Sequence, residues 1–257
     1  MKIFVCIKQV PDTETKVRLA SDGKSLDTTA VKWVMNPYDE YAVEEAVKIR
    51  DANPGSQVHV ITVGPKKRAP DALRTALAMG ADEGIVVDAP EGLDTLNVAK
   101  ALAKVITDEG GGNLVLTGKL AIDDNASSVG PMLAEFLKWG HTSVASKITV
   151  TPENAVVERD IEGGAKEVVQ VKLPAVIAAN KGLNMPRYAS LPGIMKAKKK
   201  TLKELEIGAL GVPAVGKVKV LSMELPAEKP AVKMLTGDAG KIATELVHLL
   251  RDDAKVL

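Results

Sequence analysis

Short apolar runs rich in β-branched residues alternate along this chain with longer segments in which apolar residues recur every three or four positions. The runs "KIFVCIK" (2–8), "QVHVITV" (57–63), "GIVVD" (84–88), "NLVLTG" (113–118) and "AVIAAN" (175–180) predict strands. The longer segments predict helices. The first opens at "NPYDEYAVEEAVKIRD", with Asn36 as N-cap, Pro37 in the first turn and Asp39 and Glu40 at the positive helix end. Its apolar face is Ala42, Val43, Ala46, Val47 and Ile49. Further helices are predicted near 69–79, closed by Gly80, near 94–108, and near 126–138 after "AIDDNASS". Strands alternating with helices predict an α/β fold around a mostly parallel sheet.

The pattern changes near residue 147. "KITVT", "AVVERDI" and "KEVVQVKLP" read as antiparallel strands joined by the "PEN" and "EGG" turns, a ribbon attached to the main sheet. Beyond residue 200 comes a segment broken by Pro and Gly, then an amphipathic helix near 238–252 lined by Ile242, Leu246, Leu249 and Leu250. That helix either docks on its own core or forms an arm that holds a partner, and the pattern supports both equally. The division expected is an α/β domain over 1–225 and a C-terminal arm over 226–257.

Composition narrows the functional classes. With 257 residues, 26% of them charged and a formal net charge of +1, the chain lacks the one-sign excess of a nucleic-acid or membrane-surface binder. Its single cysteine, Cys6, closes no intramolecular disulfide. No apolar run reaches the roughly 20 residues of a membrane span, and the first strand is too short for a signal sequence, so a soluble protein is expected.

Candidate chemistry is sparse. His59, His141 and His248 are scattered and no metal-spaced cluster appears, so hydrolytic or metal catalysis has no support. Cys6, ending an apolar strand, reads as a small buried hydrophobe rather than a nucleophile. Ligands of open parallel sheets bind at the carboxyl ends of strands, which singles out Cys6 to Thr13, "MNPYDE" with "VGP", and "GKLAIDDNASSVG". Asp124 to Ser128 should lead into a helix, where free amides attract an anion. Helix capping accounts for the same residues, and neither a Walker motif nor G-x-G-x-x-G is present. The stretch "LNMPRYASLPGIMKAKKK" (183–200) fits a linker, a basic patch or a contact surface.

Six stretches in order carry a resemblance: "IKQVPD" (7–12), "MNPYDEYAVEEAV" (35–47), "RTALAMGAD" (74–82), "GKLAIDD" (118–124), "VERDIEGGAKEVVQVKLPAVIAA" (157–179) and "LNMPRYASLPGIMKAKKK". In the fifth, Arg159, Glu162, Gly163, Gly164, Glu167 and Pro174 keep the family's spacing. The chain resembles the β subunits of electron-transfer flavoproteins over essentially its whole length. The resemblance implies a Rossmann-like nucleotide-binding fold and an electron carrier rather than an enzyme. It also implies an α-subunit partner, acyl-CoA dehydrogenase donors of fatty-acid β-oxidation and a membrane quinone oxidoreductase as acceptor. Neither nucleic acid nor membrane insertion is implied. A bacterial cytoplasmic location is expected, and a processed matrix protein would look the same.

The resemblance also implies a structural AMP held by Cys6, by Asn36, Pro37, Tyr38 and Asp39, and by Val63. The remaining AMP positions are Gly118, Lys119, Leu120, Ala121, Ile122, Asp123, Asp124, Asn125, Ala126, Ser127, Ser128 and Val129. FAD lies mainly on the α subunit, with Tyr38 at its edge; Thr13 stands where animal relatives carry a second aromatic, and Val129 where they carry threonine. A bifurcating relative with a second FAD in place of AMP is the alternative, and a stand-alone nucleotide-binding protein a third reading. In the 183–200 stretch the resemblance implies a recognition loop made of Arg187, Tyr188, Ala189, Ser190, Leu191, Pro192, Gly193, Ile194, Met195 and Lys196. Leu191 is its anchor, and Lys196 to Lys200 steer acidic partners.

Overall fold

A computed structural model describes residues 1–229 and 231–257. In chain order the elements are β1 (Lys2–Cys6), β2 (Gln9–Pro11), β3 (Trp33–Met35), α1 (Pro37–Ala52), β4 (Gln57–Gly64), α2 (Ala69–Met79), β5 (Glu83–Asp88), α3 (Thr95–Asp108) and β6 (Leu114–Gly118). They continue with α4 (Val129–Leu137), β7 (Gly140–Val150), β8 (Asn154–Asp160), β9 (Lys166–Lys172), β10 (Ala175–Ala179), α5 (Leu191–Lys199), β11 (Lys203–Glu206) and α6 (Ala239–His248). One sheet takes the order β11-β5-β4-β1-β6-β10-β7-β8-β9, and β2 pairs with β3 apart from it.

The pairs from β11 to β7 are parallel and those among β7, β8 and β9 antiparallel. Side chains of a strand alternate between faces, so β1 sends Ile3 and Val5 one way and Phe4 and Cys6 the other. Ile3 and Val5 join Val43, Val47, Leu73, Leu116 and Ile177 in one core. Phe4 joins Ile61, Ile85, Leu102, Ile106, Val115 and Leu133 in the other. The central strands are therefore apolar on both faces, as a sheet covered by two helical layers requires. From β1 the chain builds β4 and β5 to one side, then returns to place β6 on the other. That reversal makes β1/β6 the switch point where the carboxyl ends of an open sheet leave a crevice.

The predicted mostly parallel α/β sheet and its ribbon are what the chain forms, with informative differences. Strand β7 starts at Gly140, before the predicted ribbon, running first parallel to β10 and then antiparallel to β8. Val144 takes a φ of 62° where it changes partner. A local irregularity there re-aims the strand out of the main sheet, which no hydrophobic period encodes. Strand β11, "KELE", was not predicted because it is charged; it lies on the sheet edge, where charge discourages pairing with other chains. Helix α4 begins at Val129 rather than 126, since Asn125 and Ser127 have φ of 52° and 51°.

Residues 183–200 are not a loop throughout. Ser190 caps α5 by accepting the Gly193 amide at 3.1 Å, and Pro192 occupies its first turn, so the residues that read as loop punctuation start a helix. At the other end, α6 runs into a π-helical turn, Leu249–Asp253, and buries no residue. Docking on its own core is thus not what the final helix does. Before it, Val215, Val218, Leu221, Leu225, Val232 and Met234 are exposed.

Candidate functional site

A cleft of about 140 Å³ opens at the carboxyl ends of β1, β4 and β6. Its walls are Cys6 to Lys8, Asn36, Asp39, Val63, the segment Thr117 to Ala121, Asp124, the segment Ala126 to Gly130, and Leu93, Thr95, Val98 and Leu102 beside α3. A larger hollow of about 570 Å³ lies along α6, but its walls come only from that helix and the turn after it, so it faces no second element.

Asp39, in the first turn of α1, organises the cleft. Its carboxylate accepts the amide of Lys8 at 2.7 Å, the amide of Gly118 at 3.0 Å and the Asn36 side-chain amide at 3.0 Å. Three chain segments distant in sequence therefore converge on one buried side chain. Gly118 is required for this approach, because a Cβ there would fall 2.4 Å from Asp39 Oδ1 and 2.7 Å from Tyr38 Cβ. Burial pushes the Asp39 carboxyl up to about 7, against the lowering effect of its three N–H donors.

Asn36 stands at the N-cap of α1, but its side chain does not cap the helix. It donates instead to Leu120 O at 2.9 Å and accepts from the Ile122 amide at 3.2 Å, pinning the segment that follows β6. Across the mouth, Lys8 Nζ reaches Asp123 at 2.8 Å and Asp124 at 3.1 Å. Burial opposes the Lys8 charge, yet the two carboxylates outweigh it and raise Lys8 above the usual lysine range. Cys6 is buried, and burial aided by the Asp39 charge drives its thiol far above the ordinary range, which disfavours the thiolate.

Past Asp124 the backbone presents donors. The amides of Ser127, Ser128, Val129 and Gly130 have no acceptor among the described residues, and the buried Ser128 Oγ also lacks a partner. With Pro131 next, the first amide of α4 that bonds back to the chain is Met132, to Ser128 O at 3.1 Å. Free amides at a helix start are the backbone's own anion receptor.

Of the predicted cofactor positions, Cys6, Asn36, Asp39, Val63, Gly118, Lys119, Leu120, Ala121, Asp124, Ala126, Ser127, Ser128 and Val129 line the cleft. Pro37, Tyr38, Ile122, Asp123 and Asn125 do not, although Ile122 and Asp123 hold its wall through Asn36 and Lys8. Half-buried Tyr38 stacks under Lys119, whose Nζ lies 5.3 Å from the ring centroid. Sequence reasoning missed Thr117 and the α3 residues, and gave Lys8 and Gly130 no role of their own within the strand-end stretches it singled out. Lys8 was signalled only by the charge that the paired Asp123 and Asp124 need; the α3 residues arrive by packing. Among the described residues no group of His, Cys, Asp or Glu could hold a metal ion, and no helix is long and apolar enough to cross a membrane.

On a separate surface, Met185 is 89% exposed, Tyr188 99%, Leu191 72% and Met195 57%. Lys196, Lys198 and Lys199 are exposed beside them. Lys200 is not part of that patch: its Nζ donates inward to the carbonyls of Ala81 at 2.7 Å and Asp82 at 2.8 Å. Arg187 is committed as well, its Nε donating to Glu44 at 2.8 Å.

This arrangement defines an open-sheet α/β protein with a small cleft at its switch point, bordered by the start of α4. The electron transfer flavoprotein domain profile matches residues 24–210. The chain is 42% identical over 257 residues to the electron transfer flavoprotein subunit beta of Bradyrhizobium diazoefficiens, covering 100% of both chains. It is 40% identical over 263 residues to that of Bacillus subtilis, again covering 100% of both. With that of Homo sapiens it shares 43% identity over 235 residues, 90% of this chain and 91% of the other. The chain belongs to the electron transfer flavoprotein family, in its β-subunit line. Membership implies electron transfer, association with flavin and an α-subunit partner.

The raised Asp39 carboxyl predicts a pH signature. The folded state keeps this proton up to about 7, whereas the unfolded chain releases it near 3.8, so its contribution to stability is complete below pH 4 and declines from there to pH 7. The stability of the wild type relative to Asp39→Asn should therefore fall across that window in urea titrations. A difference that stays flat from pH 4 to 7 would refute the assignment.

Proposed function

We propose that this chain is the β subunit of a non-bifurcating, heterodimeric electron transfer flavoprotein that holds one structural AMP in the cleft. The observation that carries this reading is that the amides of Ser127 to Gly130, residues that line the cleft, find no acceptor among the described residues, beside the small side chains of Ala126 and Ser127. A single phosphate satisfies such a row without a lysine. Val129 supplies no hydroxyl there, but the unpartnered Ser128 Oγ lies in the adjoining position. The apolar wall of Cys6, Val63, Leu93 and Val98 suits the face of a base.

FAD, carried mainly by the α subunit, supplies the redox chemistry by taking up and releasing electrons. The residues here orient and shield. Tyr38, beside Lys119, covers the flavin edge. The exposed Tyr188, Leu191 and Met195 meet an acyl-CoA dehydrogenase-type donor, and a quinone oxidoreductase receives the electrons. Shuttles that serve several donors dock transiently through small contacts in which one apolar anchor dominates. Leu191, at the first turn of α5, has the exposure for that role, while Lys196, Lys198 and Lys199 attract acidic surfaces at low ionic strength. The arm over 226–257 grips the α subunit, because α6 and the exposed apolar residues before it find no cover among the described residues.

Counting nucleotides in the purified heterodimer tests the cleft: one FAD and one AMP are expected, two FAD would establish the bifurcating alternative, and neither would overturn the reading. Replacing Leu191 with Ala should slow flavin reduction by a dehydrogenase about tenfold in stopped flow with flavin content unchanged. Donor kinetics equal to wild type would remove Leu191 as the anchor. Ending the chain after Leu225 should abolish stoichiometric copurification with the α subunit; a truncated chain that still copurifies one to one contradicts the arm's role.

A further inference from the structure

The stretch "RTALAMGAD" (74–82) lines no part of the cleft, yet it is where α5 sits. Only Ala197 of α5 is buried, so apolar packing alone anchors this helix weakly. Polar contacts from the stretch do the rest. Arg74 Nη1 donates to the carbonyl of Ala197, which also accepts the Lys200 amide at 3.3 Å in the last turn of α5, and to the carbonyl of the C-cap Lys200 at 2.5 Å. No carboxylate among the described residues pairs with Arg74, so its charge is directed at the negative end of the helix. In return Lys200 Nζ binds the carbonyls of Ala81 and Asp82. At the other end of α5 the backbones touch: a Cβ on Gly193 would lie 2.6 Å from Ala78 O.

Upstream, the approach to α5 is tied down too. Arg187 is bound through its backbone amide at 3.1 Å and its guanidinium to Glu44, and Asn184 donates to Tyr41 O at 3.0 Å and Glu45 at 2.9 Å. An exposed anchor works only if its direction is set before encounter, since each degree of freedom frozen on docking subtracts from affinity. The clamp removes that cost for Leu191.

We infer that Arg74 is a positioning residue for donor docking, holding α5 so that Leu191 is presented in one orientation. This rests on the reading of the α5 patch as the donor contact. The mechanism is reciprocal clamping: a cation from α2 closes the carbonyl end of α5, and a cation past the end of α5 closes the carbonyls past the end of α2.

The test uses the intact heterodimer with an acyl-CoA dehydrogenase as donor. Arg74→Met should raise the KM for the flavoprotein about tenfold with kcat nearly unchanged, and Arg74→Lys should recover most of the loss. Reduction by dithionite and the flavin and AMP contents should match wild type. Acting through Leu191, Arg74→Met should add less than about twofold in a Leu191→Ala background. A lowered melting temperature with wild-type KM, or a full additive loss in the double variant, would overturn the inference. Should Arg74→Met fail to assemble, Lys200→Met opens the other half of the clamp and must show the same KM rise. If Leu191→Ala alone leaves KM unchanged, the docking reading itself fails; if it raises KM and the Arg74 and Lys200 variants do not, only the positioning role fails.

Discussion

The cleft depends on one buried carboxylate. Asp39 joins the loop after β1, the end of β6 and the start of α1 through bonds to Lys8, Gly118 and Asn36. Those elements are brought side by side by the switch in strand order, but side-by-side strands leave their terminal amides unpaired. A buried amide without an acceptor costs about 1–3 kcal/mol, so one carboxylate serving three donors stabilises the site as much as it shapes it. Burial acts against the charge that makes Asp39 a good acceptor, and the balance leaves its carboxyl at about 7. Everything built on that wall, from the Asn36 bridge to the segment after β6, inherits its position.

Two surfaces of different character follow. The cleft is polar at its mouth, where Lys8 meets Asp123 and Asp124, and ends in amides awaiting an acceptor. Such a place suits a retained ligand. The α5 surface is apolar and exposed, flanked by lysines, and tied to the rest of the chain by the Arg74 and Lys200 contacts. Such a place suits brief contact, with charge speeding approach and one anchor setting strength. The proposed function assigns a retained nucleotide to the first surface and a transient docking face to the second.

Much of this was legible in order along the chain. Strands β1, β4, β5, β6 and β10 stood out because both faces of each are buried, making nearly unbroken apolar runs. Helices α1, α2 and α3 announced themselves by period and by Pro37 and Gly80 at their ends. The segment from Gly118 to Val129 was found because carboxyl ends of parallel strands gather ligands. By contrast α5 hid behind Pro192 and Gly193, which signal a loop in isolation and a helix start once Ser190 caps it. Strand β11 hid behind its charge, and Lys200 among like neighbours, since nothing local distinguishes a lysine that turns inward.

What the sequence determined by itself is whatever a local period or an end signal can encode: an α/β chain with a parallel core, a ribbon and an amphipathic final helix, whose placement the pattern left open. Tertiary structure alone decided which polar groups meet. Asp39 with Gly118, Lys8 with the paired aspartates, and Arg74 with the end of α5 are all far apart in sequence, and their pairing comes from strand order and helix packing. Local preference is a property of neighbouring residues. The direction of a buried charge is settled by whichever donors the fold delivers to it, because leaving it unmet in a low-dielectric interior costs more than any local preference offers.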